Sequence, residues 1–346
     1  MIKDILITVL SFVVLTATTS CKKKNADNSP AENSPDVYVA GYEKNAAGAF
    51  VAKYWKNGTP VNLTDGRNSA YALSIVVSGN DVYVGGGELN GSSGPYIAKI
   101  WKNGIATSLT NGINNGLVYS IAVAGSDVYA AGFERLPGGE IPRLWKNGVP
   151  VNLTLGANEF GDAYSLFLSG ADVYVAGITV TLSPTGGPVA KYWKNGVPFS
   201  LTDGTRRAAL RSIFVSGNDV YAAGHEETAP GSGNFFAKYW HNGTAFNLTA
   251  GTTPEEVANS IFVANGNVYV GGGIQTSAKL WVNGVLTNIT SNAYASSVTS
   301  VLVHGRDVYA AVYENSIAKI WVNNNLTRLT DSTYLAFPSS VYVVTP

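Results

Sequence analysis

The chain has 346 residues, 23 basic and 23 acidic side chains, and no formal net charge. Neutrality argues against a nucleic-acid partner, which needs a basic stripe to neutralise phosphates. Apolar residues make up 45%, too many for a disordered chain, and a single Cys excludes a disulfide scaffold. Length alone suggests about two domains, a suggestion the repeats below replace.

Residues 5–17 form an apolar run after Lys3, ending in Thr18-Thr19-Ser20-Cys21. The run is too short to span a bilayer and suits a signal-peptide core. It resembles a bacterial lipoprotein signal (residues 1–20), which implies that Cys21 becomes the lipidated first residue. The alternative is an ordinary secretory signal with an incidental Cys. Residues 22–35 hold no apolar side chain larger than Ala, so 21–35 read as the lipidated Cys and a flexible tether. The expectation is an exported protein held to the membrane by lipid alone.

From residue 36 to 346 one unit recurs. Trp stands at 55, 101, 145, 193, 240, 281 and 321, each inside a phrase such as AKYWKNG. A phrase like DVYVAG precedes each Trp, one like VNLTDG follows it, and one like SIFVSG leads into the next unit. Each phrase is a short β-branched or aromatic run bounded by Gly, Asn or Ser, which is a strand signature. In unit order the strands are A (SIFVSG), B (DVYVAG), C (AKYW) and D (VNLT). Asn-Gly between C and D, as at 57–58, marks a two-residue hairpin. Four antiparallel strands repeated about every 44 residues, with no helical period, predict an all-β seven-bladed propeller. A β-solenoid is the alternative. The first complete unit begins at strand B (Asp36), and the last strand is an A strand, SSVYVV at 339–344. The C-terminal A strand is therefore predicted to complete the first blade and close the ring, hiding two sheet edges.

These phrases resemble the seven-bladed propellers of Bacteroidota lipoproteins, and SGNDVYVAG is similar to the hairpin of NHL-type and kelch-like repeats. The resemblance implies the fold and an outer-membrane address. It implies no particular function, since propellers host enzymes, lectins and scaffolds.

A–B and C–D turns share one face and are nearly uniform. B–C and D–A connections share the other, and they vary. The B–C loops read as long in blades one to five and shrink around Gln275 and Asn315. Binding usually sits on such loops. Near the start of each A strand a Ser recurs, at 74, 120, 165, 212, 260, 300 and 340, and is predicted to bond a neighbouring blade. The residue before it breaks the symmetry: Leu73, Tyr119, Tyr164, Arg211, Asn259, Thr299 and Ser339. Tyr119, Tyr164, Arg211 and Asn259 are the candidate ligand contacts at the channel mouth, able to stack on and hydrogen-bond a sugar or peptide end. The alternative is that they merely plug the channel.

The repeated Trp reads as core between blades rather than as a row of lectin platforms. Glu43, Glu88, Glu134, Glu226 and Glu314 are predicted to pair across strands with Lys53, Lys99, Arg143, Lys238 and Lys319 as exposed ion pairs worth roughly 0–1 kcal/mol each. No catalytic constellation is legible. His241 and His304 fall on the uniform face, and His225-Glu226-Glu227 reads as a solvated loop. The carboxylates off the repeat pattern are Glu159, Asp162, Glu255 and Glu256, with nothing to show that they converge. No metal site, cofactor or thiol nucleophile is predicted. The leading reading is a monomeric, non-enzymatic envelope propeller that binds a glycan or an envelope protein through its variable face. The rivals are a hydrolase or lyase on polysaccharide or peptide-like substrates, and a structural spacer.

Overall fold

A computed structural model describes residues 34–181, 187–254, 256–291 and 293–345. Cys21 and Glu255 lie outside them. Seven four-stranded antiparallel sheets stand in a ring, in the order predicted by the repeats. Blade two is typical: strand A is Ala70–Ser78, B is Asp81–Leu89, C is Tyr96–Lys102 and D is Ile105–Ser108. Blade one takes its inner strand from the C-terminus, where Ala336–Val344 pairs antiparallel with Asp36–Lys44. The ring is closed by backbone hydrogen bonds between the two ends of the repeat region, and it contains no helix among the described residues.

The uniform face is fastened by one device seven times over. Asn57, at the C–D turn, accepts the Val37 amide on Oδ1 (2.8 Å) and donates from Nδ2 to Asp36 Oδ1 (2.7 Å). The same pair of bonds joins the C–D and A–B turns of every other blade. Asn57 and Gly58 have φ of 51° and 82°, the left-handed pair that a type I′ hairpin requires and that Asn and Gly adopt most readily. Uniformity on this face is structural.

All seven Trp side chains are buried, none more than 6% exposed. They pack between neighbouring blades, as Trp101 does with Ala72, Ile75 and Val84 of its own blade and Tyr38, Ala40 and Ala52 of blade one. They are core, as expected from a large apolar ring at a fixed strand position.

The five predicted ion pairs all form: Lys53–Glu43 and Lys99–Glu88 at 2.5 Å, Arg143–Glu134 at 2.8 Å, and Lys238–Glu226 and Lys319–Glu314. They are not exposed, however. Both side chains of each pair are largely covered, because antiparallel B–C pairing places them between adjacent sheets rather than on the rim. In blade four Glu159, from strand A, takes over the role and meets Lys191 at 2.6 Å. Blade six has Ile274 where five blades carry Glu, and among the described residues the buried Lys279 hydrogen-bonds the Asn288 amide oxygen, at 2.7 Å.

Candidate functional site

Every A strand carries a β-bulge, and the bulged residue is the symmetry-breaking one. In blade two Ala72 pairs with Gly86 and Ser74 with Gly85, leaving Leu73 out of register. The same skip leaves out Tyr119, Tyr164, Arg211, Asn259, Thr299 and Ser339. A bulge releases one residue from the ladder and re-aims its side chain. It also brings the backbone close to strand B: a Cβ on Gly86 would lie 1.9 Å from the Tyr71 carbonyl oxygen. In six blades the DVYVAG phrase has a Gly opposite the bulge, while blade seven carries Val312 at the same place.

All seven bulged residues line one cavity of about 310 Å³ on the ring axis, together with Tyr42, Phe337 and Pro338. The four predicted ligand contacts are therefore brought together. The cup has two sectors. Tyr119 and Tyr164 pack with ring centroids 5.2 Å apart, and Phe133 stacks behind Tyr119. Across from them Tyr42 and Phe337 stand 5.2 Å apart. The polar sector is Arg211, Asn259 and Thr299. The Arg211 guanidinium lies over the Tyr164 ring at 4.6 Å. Asn259 spends its amide hydrogens on Ser297 Oγ and the Val298 carbonyl, both at 2.9 Å, which leaves its oxygen as an acceptor. Thr299 donates to the Ala311 carbonyl at 3.2 Å.

Two features lie outside the predicted contacts. The first is an aromatic belt on the variable face, drawn from blades seven, one and two. Tyr313 stacks on Phe337 at 4.6 Å, Tyr42 meets Tyr71 at 4.7 Å, and the Tyr96 hydroxyl donates to that of Tyr71 at 3.0 Å. Burial, then the neighbouring Tyr71 and Tyr313, push the Tyr42 hydroxyl up to about 12. The second is a cavity of about 460 Å³ between blades three and four, sharing Tyr164 with the axial cup. The B–C connection of blade three is not the long loop expected. Strands B and C run on to Leu136 and Gly139 and leave only a two-residue turn, so an extended hairpin forms one wall of this cavity.

Asp162 lies in that second cavity. Its Oδ2 accepts the Tyr164 hydroxyl at 3.0 Å, while Oδ1 is buried without a partner. Burial raises its pKa, and Glu140 reinforces the rise against Tyr164 and the two arginines nearby. Tyr164 is raised to about 12, chiefly by burial. The other off-pattern carboxylates have structural duties. Burial pushes Glu159 up, but Lys191 and the Gly156 amide outweigh it and hold it low. Glu256 accepts the amides of Gly251, Thr252 and Thr253 at 2.9–3.1 Å, folding the D–A loop onto itself.

The solvated-loop reading of His225-Glu226-Glu227 is incorrect. All three belong to strand B of blade five, Asp219–Glu227, and both Glu side chains are buried. Strand B runs past its phrase here, as it does in every blade, and Arg206 and Arg207 of the D–A connection pair with Glu226 and Glu227 at 2.7 and 2.8 Å. Glu227 is held down to about 2, first by Arg207 and then by the Gly233 amide. His225 packs edge-on against Phe235, with Nδ1 buried and without a partner. It is held down to about 4 by burial, and further by Arg211 and Arg207. His225 does not line the cup, and the lining of the cup contains no carboxylate and no His. No group of three His, Cys, Asp or Glu able to hold a metal occurs among the described residues.

No family model matches the chain, and no curated protein matches it. Among solved structures it is similar to the computationally designed Ika8 protein (18% identity, 78% of this chain and 77% of that one, TM-score 0.43). It is also similar to a provisionally named 6-phosphogluconolactonase from Bacteroides uniformis (13%, 90% and 99%, 0.46). A third likeness is to the acylaminoacyl peptidase of Pyrococcus horikoshii (13%, 85% and 51%, 0.49), of which this chain spans about half. Likenesses of this degree speak to neither site nor substrate.

Proposed function

We propose that this chain is a monomeric, non-enzymatic binding propeller of the bacterial envelope, exported and lipid-anchored through Cys21, that recognises a glycan at its axial cup. The observation that carries the reading is the bulge ring: seven blades present six kinds of side chain into one cavity while the opposite face repeats itself. Aromatic faces on one side and hydrogen-bonding groups on the other suit a sugar, which has an apolar C–H face and hydroxyl edges. The absence of an acid–base pair from the cup lining favours binding over hydrolysis, which needs two carboxyl groups flanking the bond.

Residues 34–346 contain every strand of the closed ring and can be produced without the anchor. Probed on a glycan and peptidoglycan-fragment array, they are expected to bind a defined glycan that Tyr119→Ala/Tyr164→Ala/Arg211→Ala loses. Binding that survives the triple variant moves the site to the outer loops, and no binding leaves an envelope protein as the partner. Labelling of full-length protein with a radioactive fatty acid, abolished in Cys21→Ser, tests the anchor.

A further inference from the structure

The charge pattern of the axial cup narrows the class of glycan. Among the described residues, Arg67, Arg135, Arg143, Arg206 and Arg207 each face a carboxylate within 3.3 Å. Arg306 and Arg328 do not, but both are exposed. Arg211 alone is half-buried in a cavity and has no ion pair and no hydrogen-bonded acceptor for its guanidinium. Its one partner is the Tyr164 ring. Stacking on an aromatic face fixes the plane of a guanidinium and leaves its N–H edge unspent.

The surroundings do not supply the missing anion. The cup lining holds no Asp or Glu. The nearby carboxyl of Asp162 is turned to the Tyr164 hydroxyl and acts on Arg211 only at a distance, without an ion pair. A cation that has given up part of its hydration, with five donors held in a fixed fork, matches the two oxygens of an oxyanion. A neutral sugar would use the aromatic sector and leave this fork unsatisfied.

Resting on the glycan reading above, we infer that the ligand is an acidic sugar, whose carboxylate, sulfate or phosphate group sits on Arg211 while its ring stacks in the Tyr119–Tyr164 sector. The Asn259 oxygen then accepts from a ring hydroxyl beside the anion.

The test uses the same array, read for the chemistry of whatever binds. Glycans bound by residues 34–346 are expected to carry an anionic substituent. Carboxyl reduction of the bound glycan should abolish binding if a uronate is read. Sulfatase or phosphatase treatment should abolish it if an ester is read. Arg211→Gln is expected to weaken binding by about 10- to 100-fold, the range for losing hydrogen bonds to a charged group. Arg211→Lys, which keeps the charge and loses the fork, should recover only part of this, with thermal melting confirming that both variants are folded. If neutral glycans bind as tightly, and Arg211→Gln binds them unchanged while Tyr119→Ala/Tyr164→Ala does not, the acidic-sugar inference is overturned and the glycan reading stands. If the wild-type ring binds no glycan, both fall.

Discussion

Ser74 Oγ accepts the backbone amide of Ile121, 3.1 Å away in the next blade. The same bond links Ser120 to Leu166, Ser165 to Ile213, Ser212 to Ile261, Ser260 to Val301 and Ser300 to Val341, at 2.9–3.2 Å. Six blade junctions are thus fastened by a hydroxyl that follows the bulged residue by one position. The bulge and the Ser work together: one residue leaves the ladder to face the cup, and the next ties the strand to its neighbour. This is why the Ser is constant where the residue before it varies.

Ser74→Ala leaves the Ile121 amide buried and unpaired, and should cost about 1–2 kcal/mol. Ser92→Ala, in an exposed B–C loop, should change stability by less than about 0.5 kcal/mol. Chemical-denaturation midpoints of residues 34–346 measure both. Equal midpoints would show that water reaches the junction and replaces the hydroxyl.

The two kinds of buried lysine should respond in opposite ways. Lys53→Met strands Glu43 between two sheets and is expected to destabilise by about 2–4 kcal/mol. Lys279→Met removes a cation whose pKa burial lowers and whose acceptor, the exposed Asn288, can turn to water. It should be neutral or stabilising by up to about 1 kcal/mol. Denaturation of the two variants side by side decides the matter. A large loss in Lys279→Met would mean that its alkyl stem packs in a way a thioether cannot copy.

The ring was legible because its causes are local and repeated. A Trp per blade, Asn-Gly at six C–D turns with Asn323-Asn324 at the seventh, and an A strand at the far end each answer to one rule of strand chemistry, and the structure obeys them all. The position before the Ser was legible as a break in symmetry, but its convergence on one cup depends on a bulge, which leaves no residue-type signature at the bulged site itself. The Gly opposite it was visible and was read only as chain geometry. The repeat aligns much of the aromatic belt, since Tyr42 and Tyr313 hold one strand-B position and Tyr71 and Phe337 one strand-A position; it does not show that the two positions meet across neighbouring blades. Glu159 stands off the pattern because blade four lacks the usual strand-B Glu, and Glu159 replaces it from strand A. His225 was misplaced because strand B extends past its phrase, as it does in every blade.

That buried His gives the ring a specific response to acid. His225 is held down to about 4 in the folded chain and returns to about 6.5 when unfolded. Between these values the unfolded chain binds a proton that the native chain refuses, so stability falls as pH is lowered from 6.5 toward 4, by up to about 3 kcal/mol in all. Asp162, raised by burial, has the opposite sign, because the native state takes up its proton first and gains stability as the pH drops toward 3.8. Carboxylates held low, such as Glu227, withdraw their contribution only below about pH 4.5. The interval from pH 6.5 to 4.5 therefore reports mainly on His225. Denaturation midpoints across it should slope downward with acid for the wild type and flatten in His225→Leu. Parallel slopes in the two proteins would mean that the imidazole takes up its proton freely within the fold, with Phe235 and the two arginines offering no resistance.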